Sequence, residues 1–401
     1  MELRNHAHDW DTLCLHSGQG FGDGDPLVAP LVQSTTFCRD GVDSTAEHAY
    51  SRVSNPTVAA LERALGRLED APPAVCFGTG LGAEAALFFA LLRSGDHVIC
   101  GQAVYGGTTR LLQQVLPELG IEASFVDTTD LRAVAETVRA STKLVFVETP
   151  ANPTLDVTDI AAVAEIAHRA GALLAVDNTF LTAVLQQPLE LGADLSVYST
   201  TKFIEGHSVA LGGAVVSRDE VLLDRLRFIR KCTGGIQSPL NAWLTLQGLK
   251  TLPLRIRRQS ESAQQIAAWL ATHPAVGRVY YPTLGTDDQL LIAQAQHAGH
   301  HGAVVSFELE GGADAAQVFV RSIRLPRLVE HVGSVETLIT HPASMTHADV
   351  PAHERNEIGV TDGLLRLSVG LEDPGAIIAD FEQALGVARP QRAAQVAGAL
   401  A

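Results

Sequence analysis

Apolar and polar positions alternate regularly along the chain from about residue 60 to residue 200. Short apolar runs without polar interruption are separated by stretches of helical period, such as TVAALERALGRLED (57–70). A parallel sheet that helices cover on both faces produces this pattern. We therefore predict an α/β fold with a parallel sheet, whose strands lie in AVCF (74–77), HVICG (97–101), IEASFVD (121–127), KLVFVETP (143–150), ALLAVDNT (172–179) and DLSVYST (194–200).

The pattern changes on either side of this stretch. The first sixty residues are rich in Gly, Asp, Pro, Ser and Thr and have little helical period, which predicts an arm packed on a neighbouring subunit. After about residue 255, strand-like and helical runs follow in the looser order of a small α+β domain. We predict an arm (1–60), an α/β domain (61–255) and a C-terminal α+β domain (256–401) whose tail beyond Arg389 frays.

Composition and charge narrow the possible functions. The chain has 401 residues, of which 46% are hydrophobic and 18% charged, and this excludes a disordered or fibrous protein. Its formal net charge of −16 argues against a nucleic-acid partner. It has no apolar run of about eighteen residues and no apolar N-terminal stretch, so we expect neither a membrane span nor export. The five cysteines form no CxxC pair, which favours free thiols in the cytoplasm.

Polar residues follow the predicted strands at the edge where an open parallel sheet binds ligands. The glycine run 78–82 can cradle an anion or can simply form a tight turn. Lys202, one of only four lysines, follows a strand within a Ser/Thr cluster, and Asp177 ends the strand before it. With Tyr105, these residues indicate an aldehyde cofactor held as a Schiff base, namely pyridoxal 5'-phosphate. His297, His300 and His301 have no acidic or cysteine cluster nearby, so we predict no metal site.

Eight collinear stretches carry a resemblance to a known family. The chain resembles the Cys/Met-metabolism (trans-sulfuration) family of pyridoxal-phosphate enzymes, which includes cystathionine γ-synthases and γ-lyases. This resemblance implies an aspartate aminotransferase-like fold of type I with a mostly parallel central sheet, in which residues 61–255 bind the cofactor. The matching stretches are YSRVSNPT (50–57), GTGLGA (78–83), VYGGTTR (104–110), VETPANPT (147–154), VDNTF (176–180), YSTTKFIEGH (198–207), HPASMTHADVP (341–351) and GLLRLSVGLED (363–373).

The resemblance also implies roles for individual residues. Lys202 would form the Schiff base, Asp177 would pair with the pyridine nitrogen, and Tyr105 would stack on the ring. Tyr50 and Arg52 would reach the phosphate from a neighbouring subunit, which makes the dimer obligatory and a tetramer of two such dimers the expected assembly. The other implied cofactor-binding residues are Thr79, Gly80, Leu81, Asn152, Thr179, Ser199 and Thr201. The implied substrate-binding residues are Arg110, Asn152, Glu336, Thr337 and Arg366.

The implied reaction is γ-replacement or γ-elimination on cystathionine or an O-acylhomoserine, through a Schiff base and a quinonoid intermediate. In the γ-synthases and γ-lyases an arginine at the position of Arg110 faces the distal end of the substrate, whereas methionine-cleaving relatives lack it. Arg110 therefore predicts substrates with a charged distal group, unless it simply points to solvent. The chain departs from the family pattern at Ala49, Val209, Gln247 and Thr337, and these departures leave the choice of substrate within the family open.

Other functions stay open at this point. Within the family the alternatives are an O-acetyl- or O-succinylhomoserine sulfhydrylase, a methionine γ-lyase and a cystathionine β-lyase. A catalytically inactive scaffold of the same fold is a different class of protein, and the presence of Lys202 and Asp177 argues against it. The glycine run by itself would also suit a dinucleotide-binding oxidoreductase, but the acidic residue that binds the ribose is missing at the expected place.

Overall fold

The structure is a computed structural model that describes residues 9–18, 22–348, 350 and 352–388. The helices in these ranges are α1 (Trp10–His16), α2 (Pro56–Leu68), α3 (Gly80–Leu91), α4 (Gly106–Arg110), α5 (Leu131–Thr137), α6 (Ile160–Arg169), α7 (Thr182–Leu185), α8 (Glu220–Thr233), α9 (Pro239–Leu249), α10 (Leu252–Thr272), α11 (Asp287–Gln296), α12 (Gly312–Ser322), α13 (Ala352–Glu357) and α14 (Pro374–Ala388). The strands are β1 (Val75–Phe77), β2 (His97–Gly101), β3 (Glu122–Val126), β4 (Thr142–Glu148), β5 (Leu173–Asp177), β6 (Leu195–Tyr198), β7 (Gly213–Val216), β8 (Val276–Tyr280), β9 (Val304–Leu309), β10 (Arg327–Leu328), β11 (Leu338–Thr340) and β12 (Leu364–Ser368). None of the helices in these ranges is long and apolar enough to cross a bilayer.

A seven-stranded sheet forms the larger layer, with strand order β1-β7-β6-β5-β4-β2-β3. The strands β3, β2, β4, β5 and β6 pair in parallel, and β7 alone runs antiparallel to its neighbours. This confirms the predicted α/β class with a mostly parallel central sheet. The prediction missed β7, a strand of four residues that begins at the second of two glycines and that no helix separates from β6.

Both faces of this sheet are buried, because successive side chains of a strand point to opposite faces. In β2, Val98 and Cys100 belong to an apolar cluster with Phe88 of α3, whereas Ile99 belongs to a second cluster with α6. The short apolar runs without polar alternation are therefore strands covered on both sides, as predicted. This packing leaves the polar residues to the ends of the strands.

A second sheet of five strands, with order β10-β11-β12-β9-β8, lies in the C-terminal part of the chain. Its central strand β12 pairs with β9 and β11, so that Arg366 lies opposite Ser306 and Thr340. Helices α10, α12 and α14 enclose an apolar cluster on this sheet that includes Phe307, Phe319 and Phe381. Arg366 is thus a cation on the middle strand of a largely apolar sheet.

One part of the predicted N-terminal arm contacts its own chain. Residues 10–16 form helix α1, whose Trp10 and Cys14 are buried against α2 and α10 of the same chain. Arg257 of α10 also donates to Asp11 at 2.8 Å. Part of the arm therefore packs on its own chain. The sequence did not predict α1 because its apolar pattern is too short to indicate a helix. The predicted boundaries at 60 and 255 fall inside α2 and α10. The division into three parts stays a prediction. The tail beyond residue 388 lies outside the described residues.

The stretch after Tyr105 is an irregular helix. It begins as α4, continues through one π-helical turn at Leu111–Val115 and ends in a 3₁₀ turn at Leu116–Leu119. Pro117, which lacks an N–H donor, lies in this last turn. Helix α7 is also short and ends at Leu185, ahead of Pro188.

Candidate active site

One cavity of about 460 Å³ lies at the carboxyl ends of the central strands. Asp177 ends β5, Glu148 ends β4, and Lys202 follows β6, so the sheet topology brings them to one edge. This is the edge at which the sequence predicted ligand binding. The predicted residues that line the cavity are Thr79, Gly80, Leu81, Tyr105, Arg110, Asn152, Asp177, Thr179, Ser199, Thr201, Lys202 and Arg366.

The glycine run forms the start of α3 at one end of the cavity. Thr79 caps the helix by accepting a hydrogen bond from the Gly82 amide at 2.9 Å. The amides of Gly80 and Leu81 precede the first intrahelical hydrogen bond, as in helix N-termini that bind anions. A Cβ atom on Gly80 would lie 2.9 Å from the Cβ of Ser199, so only glycine allows this close approach. Backbone donors and the Ser199 hydroxyl thus surround a space that fits a phosphate group.

Lys202 extends its amine into the same cavity. Its Nζ atom lies 3.2 Å from Nδ1 of His331. Burial and the neighbouring Arg366 lower the pKa of Lys202 to about 8, although the charge of Asp177 acts in the opposite direction. A larger share of this amine is therefore neutral near physiological pH than for an ordinary lysine, as a nucleophile requires.

Asp177 is buried at the floor of the cavity, with 7% of its surface exposed. Its carboxylate accepts a hydrogen bond from the Thr179 amide at 2.9 Å. Burial raises the pKa of Asp177 to about 6, against the effect of the bonds from Thr179 and the charge of Lys202. A protonated ring nitrogen beside this carboxylate would offset the cost of burying its charge.

Thr179 and Thr201 form hydrogen bonds that fix the two loops carrying Asp177 and Lys202. Thr179 Oγ1 accepts from the Ser199 amide at 2.8 Å, which ties the Asp177 loop to the loop before Lys202. The Thr201 hydroxyl donates to the Gly212 carbonyl at 3.0 Å and accepts from the Gly212 amide at 2.9 Å. Both side chains line the cavity while fixing its walls.

Arg366 and Asn152 form a second polar group in the cavity. Arg366 donates from Nη1 to Asn152 Oδ1 at 2.8 Å and from Nη2 to Thr340 at 3.2 Å. The arginine is only 4% exposed, and its buried Nε has no hydrogen-bond partner within the described ranges. Burial lowers the pKa of this guanidinium to about 10, whereas Glu148 and Tyr105 act to raise it. A guanidinium with an open donor fits a carboxylate ligand.

The sequence analysis missed two buried acids that line the cavity. Glu84 accepts a hydrogen bond from the Thr108 hydroxyl at 2.7 Å, and Glu148 accepts one from the Tyr105 amide at 2.7 Å. Burial and the nearby charge of Asp177 raise the pKa of Glu84 to about 8 and that of Glu148 well above its usual range. Glu84 could have been noticed, because it is the only charged residue in the apolar helix GLGAEAALFFAL.

Four predicted residues lie outside this cavity. Tyr50 is 41% exposed, and the guanidinium of Arg52 lies 5.5 Å above its ring while bonding the Lys231 carbonyl. Glu336 lines a neighbouring cavity of about 590 Å³ that His331 and Val209 also line. Thr337 is buried and donates its hydroxyl to Glu372 at 2.6 Å. The roles of these residues stay predictions.

The histidines that were considered as metal ligands pair with each other. His297 and His301 face one another with their Nδ1 atoms 3.0 Å apart. No group of three or more His, Cys, Asp or Glu residues suited to a metal ion occurs in the portion of the chain that the structure covers.

A buried lysine with a lowered pKa, a buried carboxylate, a helix start that can hold an anion and a mostly parallel sheet are the features of pyridoxal-phosphate enzymes of fold type I. A sequence profile of the Cys/Met metabolism PLP-dependent enzymes matches residues 11–386, and the chain belongs to this family. Its cofactor is pyridoxal 5'-phosphate, and the family acts as lyases and transferases in cysteine and methionine metabolism.

Individual relatives match over nearly the whole chain. A cystathionine γ-lyase of Bacillus subtilis is 41% identical over 375 residues, which cover 93% of this chain and 98% of the relative. A cystathionine γ-synthase of Mycobacterium tuberculosis is 43% identical over 377 residues, covering 94% and 96%. The crystal structure of cystathionine γ-synthase from Xanthomonas oryzae pv. oryzae in complex with cystathionine superposes with a TM-score of 0.92 at 41% identity, covering 96% of this chain and 99% of that chain.

Proposed function

We propose that this enzyme catalyses γ-replacement or γ-elimination on cystathionine or an O-acylhomoserine with a charged distal group. The observation that carries the proposal is the presence of Arg110 in the same cavity as Lys202, Asp177 and Arg366. The relatives are named after several reactions of the family, including methionine γ-lyase and O-succinylhomoserine sulfhydrylase, at similar identity. The choice among them therefore depends on the residues that face the distal end of the substrate.

The residues at the anion cradle fit the cofactor. When bound, pyridoxal phosphate supplies a ring that takes up the electron pair released at the substrate Cα. The amides of Gly80 and Leu81, with Ser199 and Thr201, would bind its phosphate, and Thr79 and Thr179 would hold these groups in place. Asp177 would keep a proton on the ring nitrogen. Tyr105 would cover the ring face.

Lys202 has two tasks in this proposal. Its amine would hold the cofactor covalently, which requires the neutral form that its lowered pKa favours. When free, Nζ of Lys202 would take the proton from the substrate Cα and later return a proton. The burial of the amine keeps this proton away from bulk water.

The substrate would be held at both of its ends. Arg366, oriented by Asn152, would bind the α-carboxylate through its open Nε and neighbouring donors. Arg110 would bind the charged distal group, which in cystathionine or O-succinylhomoserine is polar or anionic. The methyl group of methionine would make no charge-assisted contact with Arg110, so methionine would be a poor substrate. Glu336 and Thr337 would shape the adjoining wall from outside the cavity.

The experiment is a comparison of Arg110→Ala on substrates that differ at the distal end. We expect kcat/KM for O-succinylhomoserine and cystathionine to fall by about 10- to 100-fold, because a charge-assisted contact is lost, and that for O-acetylhomoserine to change by less than about threefold. Arg132→Ala, which removes an exposed arginine of α5, is the matched control. Equal losses on charged and uncharged substrates would refute the distal role of Arg110.

We further propose that the site is shared between two subunits of a homodimer, two of which form a tetramer. Tyr50 and Arg52 do not line the cavity of their own chain, and they lie on an exposed segment. Mixing inactive Lys202→Ala with inactive Arg52→Ala subunits should restore about a quarter of the native activity, since half of the random dimers are hybrids with one intact site. Hybrid dimers that form but stay inactive would contradict a shared site.

A further inference from the structure

The amine of Lys202 contacts a residue in a loop of the five-stranded sheet. His331 lies in the loop between β10 and β11, whereas Lys202 follows β6 of the seven-stranded sheet. Nζ of Lys202 and Nδ1 of His331 are 3.2 Å apart. This histidine was not among the residues that the sequence pointed to, and the proposed function assigns it no role.

The loop that carries His331 is fitted closely to the Lys202 segment. Gly333 has a φ of +86°, and a Cβ atom there would lie 2.5 Å from the Phe203 amide and 2.7 Å from the Lys202 carbonyl carbon. The Val335 amide donates to the Gly206 carbonyl at 2.9 Å. The packing of these two backbone segments therefore holds the His331 loop beside Lys202.

The direction of the hydrogen bond follows from the charges around the imidazole. Burial, together with Lys202 and Arg366, lowers the pKa of His331 to about 4, so the ring is neutral under physiological conditions. The ammonium form of Lys202 can only donate, so in that form Nδ1 accepts and the ring proton lies on Nε2. That Nε2 atom is buried and has no hydrogen-bond partner within the residues described.

We propose that His331 is a positioning residue for Lys202, whose neutral imidazole accepts a hydrogen bond from Nζ whenever the amine is not bonded to the cofactor. This inference rests on the proposed role of Lys202. The titratable groups around the pair are those that line the two cavities. Glu84, Tyr105, Arg110, Glu148, Asp177, Glu330 and Arg366 line the main cavity with Lys202, and His207, Arg327 and Glu336 line the neighbouring one with His331. The direct contact of Nζ is with His331.

Two consequences separate this role from simple packing. An acceptor at Nδ1 favours the ammonium form of Lys202, so its loss should lower the lysine pKa further. It also limits the rotamers of the long lysine side chain, so its loss should slow each step in which the free amine must reach a carbon or proton. Binding of the substrate carboxylate at Arg366 should be unaffected.

The experiment uses apo-protein and three variants of one residue. His331→Leu removes the acceptor, His331→Asn places an amide oxygen on Cγ where Nδ1 stands, and His331→Gln moves the amide one carbon further. The first readout is the rate at which added pyridoxal phosphate becomes covalently bound, followed by absorbance across pH 6 to 10. The second is the separate determination of kcat and KM for cystathionine.

We expect the Leu variant to bind the cofactor with a pH midpoint about half a unit lower and to lose about tenfold in kcat, with KM within about twofold of native. The Asn variant should recover most of this loss and the Gln variant little of it. A native midpoint and rate in the Leu variant, or equal losses in Leu and Asn, would overturn the proposal. If the Leu variant does not fold, judged by its thermal transition, the contrast between Asn and Gln decides in the same way.

A Lys202→Ala protein measured in parallel distinguishes a failure of the proposed Lys202 role from a failure of the proposed His331 role. If that protein still binds the cofactor covalently, the proposed role of Lys202 itself is wrong. If it does not, and the His331 variants behave as native, only the positioning role is overturned.

Discussion

The cavity has two ends that are built in different ways. The end at which we propose that the cofactor binds, called the cofactor end, consists of Gly80, Asp177, Ser199 and Lys202, which all follow or end strands of the seven-stranded sheet. The end at which we propose that the substrate binds, called the substrate end, joins Asn152, from the loop after β4, to Arg366 of the five-stranded sheet, 214 residues further along the chain. One end depends on the topology of a single sheet, and the other depends on how two sheets pack together.

This difference has a consequence for function. Strand ends of one parallel sheet hold fixed positions relative to each other, so the groups that bind the cofactor stay in register. Arg366 and Arg110 can be repositioned by small changes in loops or in the packing of the second sheet. A family can therefore keep one cofactor chemistry and change its substrates, as the range of reactions among the relatives illustrates.

The largest effect is expected at the cofactor end. Lys202→Ala should lose at least about a thousandfold in turnover, since both covalent attachment and proton transfer at Cα depend on this amine. Activity with cystathionine and the absorbance of the bound cofactor would be measured together. Lys143→Ala removes an exposed lysine at the opposite end of β4 and should behave as native. Near-native turnover in Lys202→Ala would contradict the assignment of Lys202 to the cofactor end.

An intermediate effect is expected at the substrate end. Arg366→Lys keeps the positive charge and loses the planar pair of donors, so KM should rise by about 10- to 100-fold for every amino-acid substrate alike. The absorbance and affinity of the bound cofactor should stay native, because the cofactor end is built separately. A loss of cofactor binding in this variant would show that the two ends are not independent.

The smallest effect concerns the stability cost of the buried acids beside the cofactor end. The pKa of Glu84 is raised from 4.5 to about 8, so the folded state holds its proton more tightly than the unfolded chain. The resulting stability is fully present below pH 4.5 and is lost as the pH rises through about 8. Glu84→Gln keeps the bond with Thr108 and does not titrate, and it should raise the melting temperature of the apo-protein by several degrees at pH 8.5 but little at pH 5.

Thermal transitions of the apo-protein at these two pH values test this expectation, with Glu165→Gln on the surface of α6 as control. A pH-independent difference between Glu84→Gln and the native protein would mean that Glu84 is ionised in the folded state.

The sequence predicted the central sheet well because its strands are buried on both faces and read as unbroken apolar runs. It missed α1 and β7, which have only seven and four residues. It found Lys202 and Asp177 because they lie at or shortly after the ends of strands. It did not find Glu84, which lies inside an apolar helix, or His331, which lies in a loop without any local pattern.

The chain pattern by itself determined the α/β class and the edge of the sheet at which we propose that the cofactor binds. Those properties follow from periodicity and from the geometry of parallel strands, which are local. Only the tertiary structure decided that Arg366 meets Asn152, that Gly333 brings His331 to Lys202, and that part of the arm packs on its own chain. These contacts join residues distant in sequence, and they depend on how whole elements pack, which no short stretch of sequence encodes.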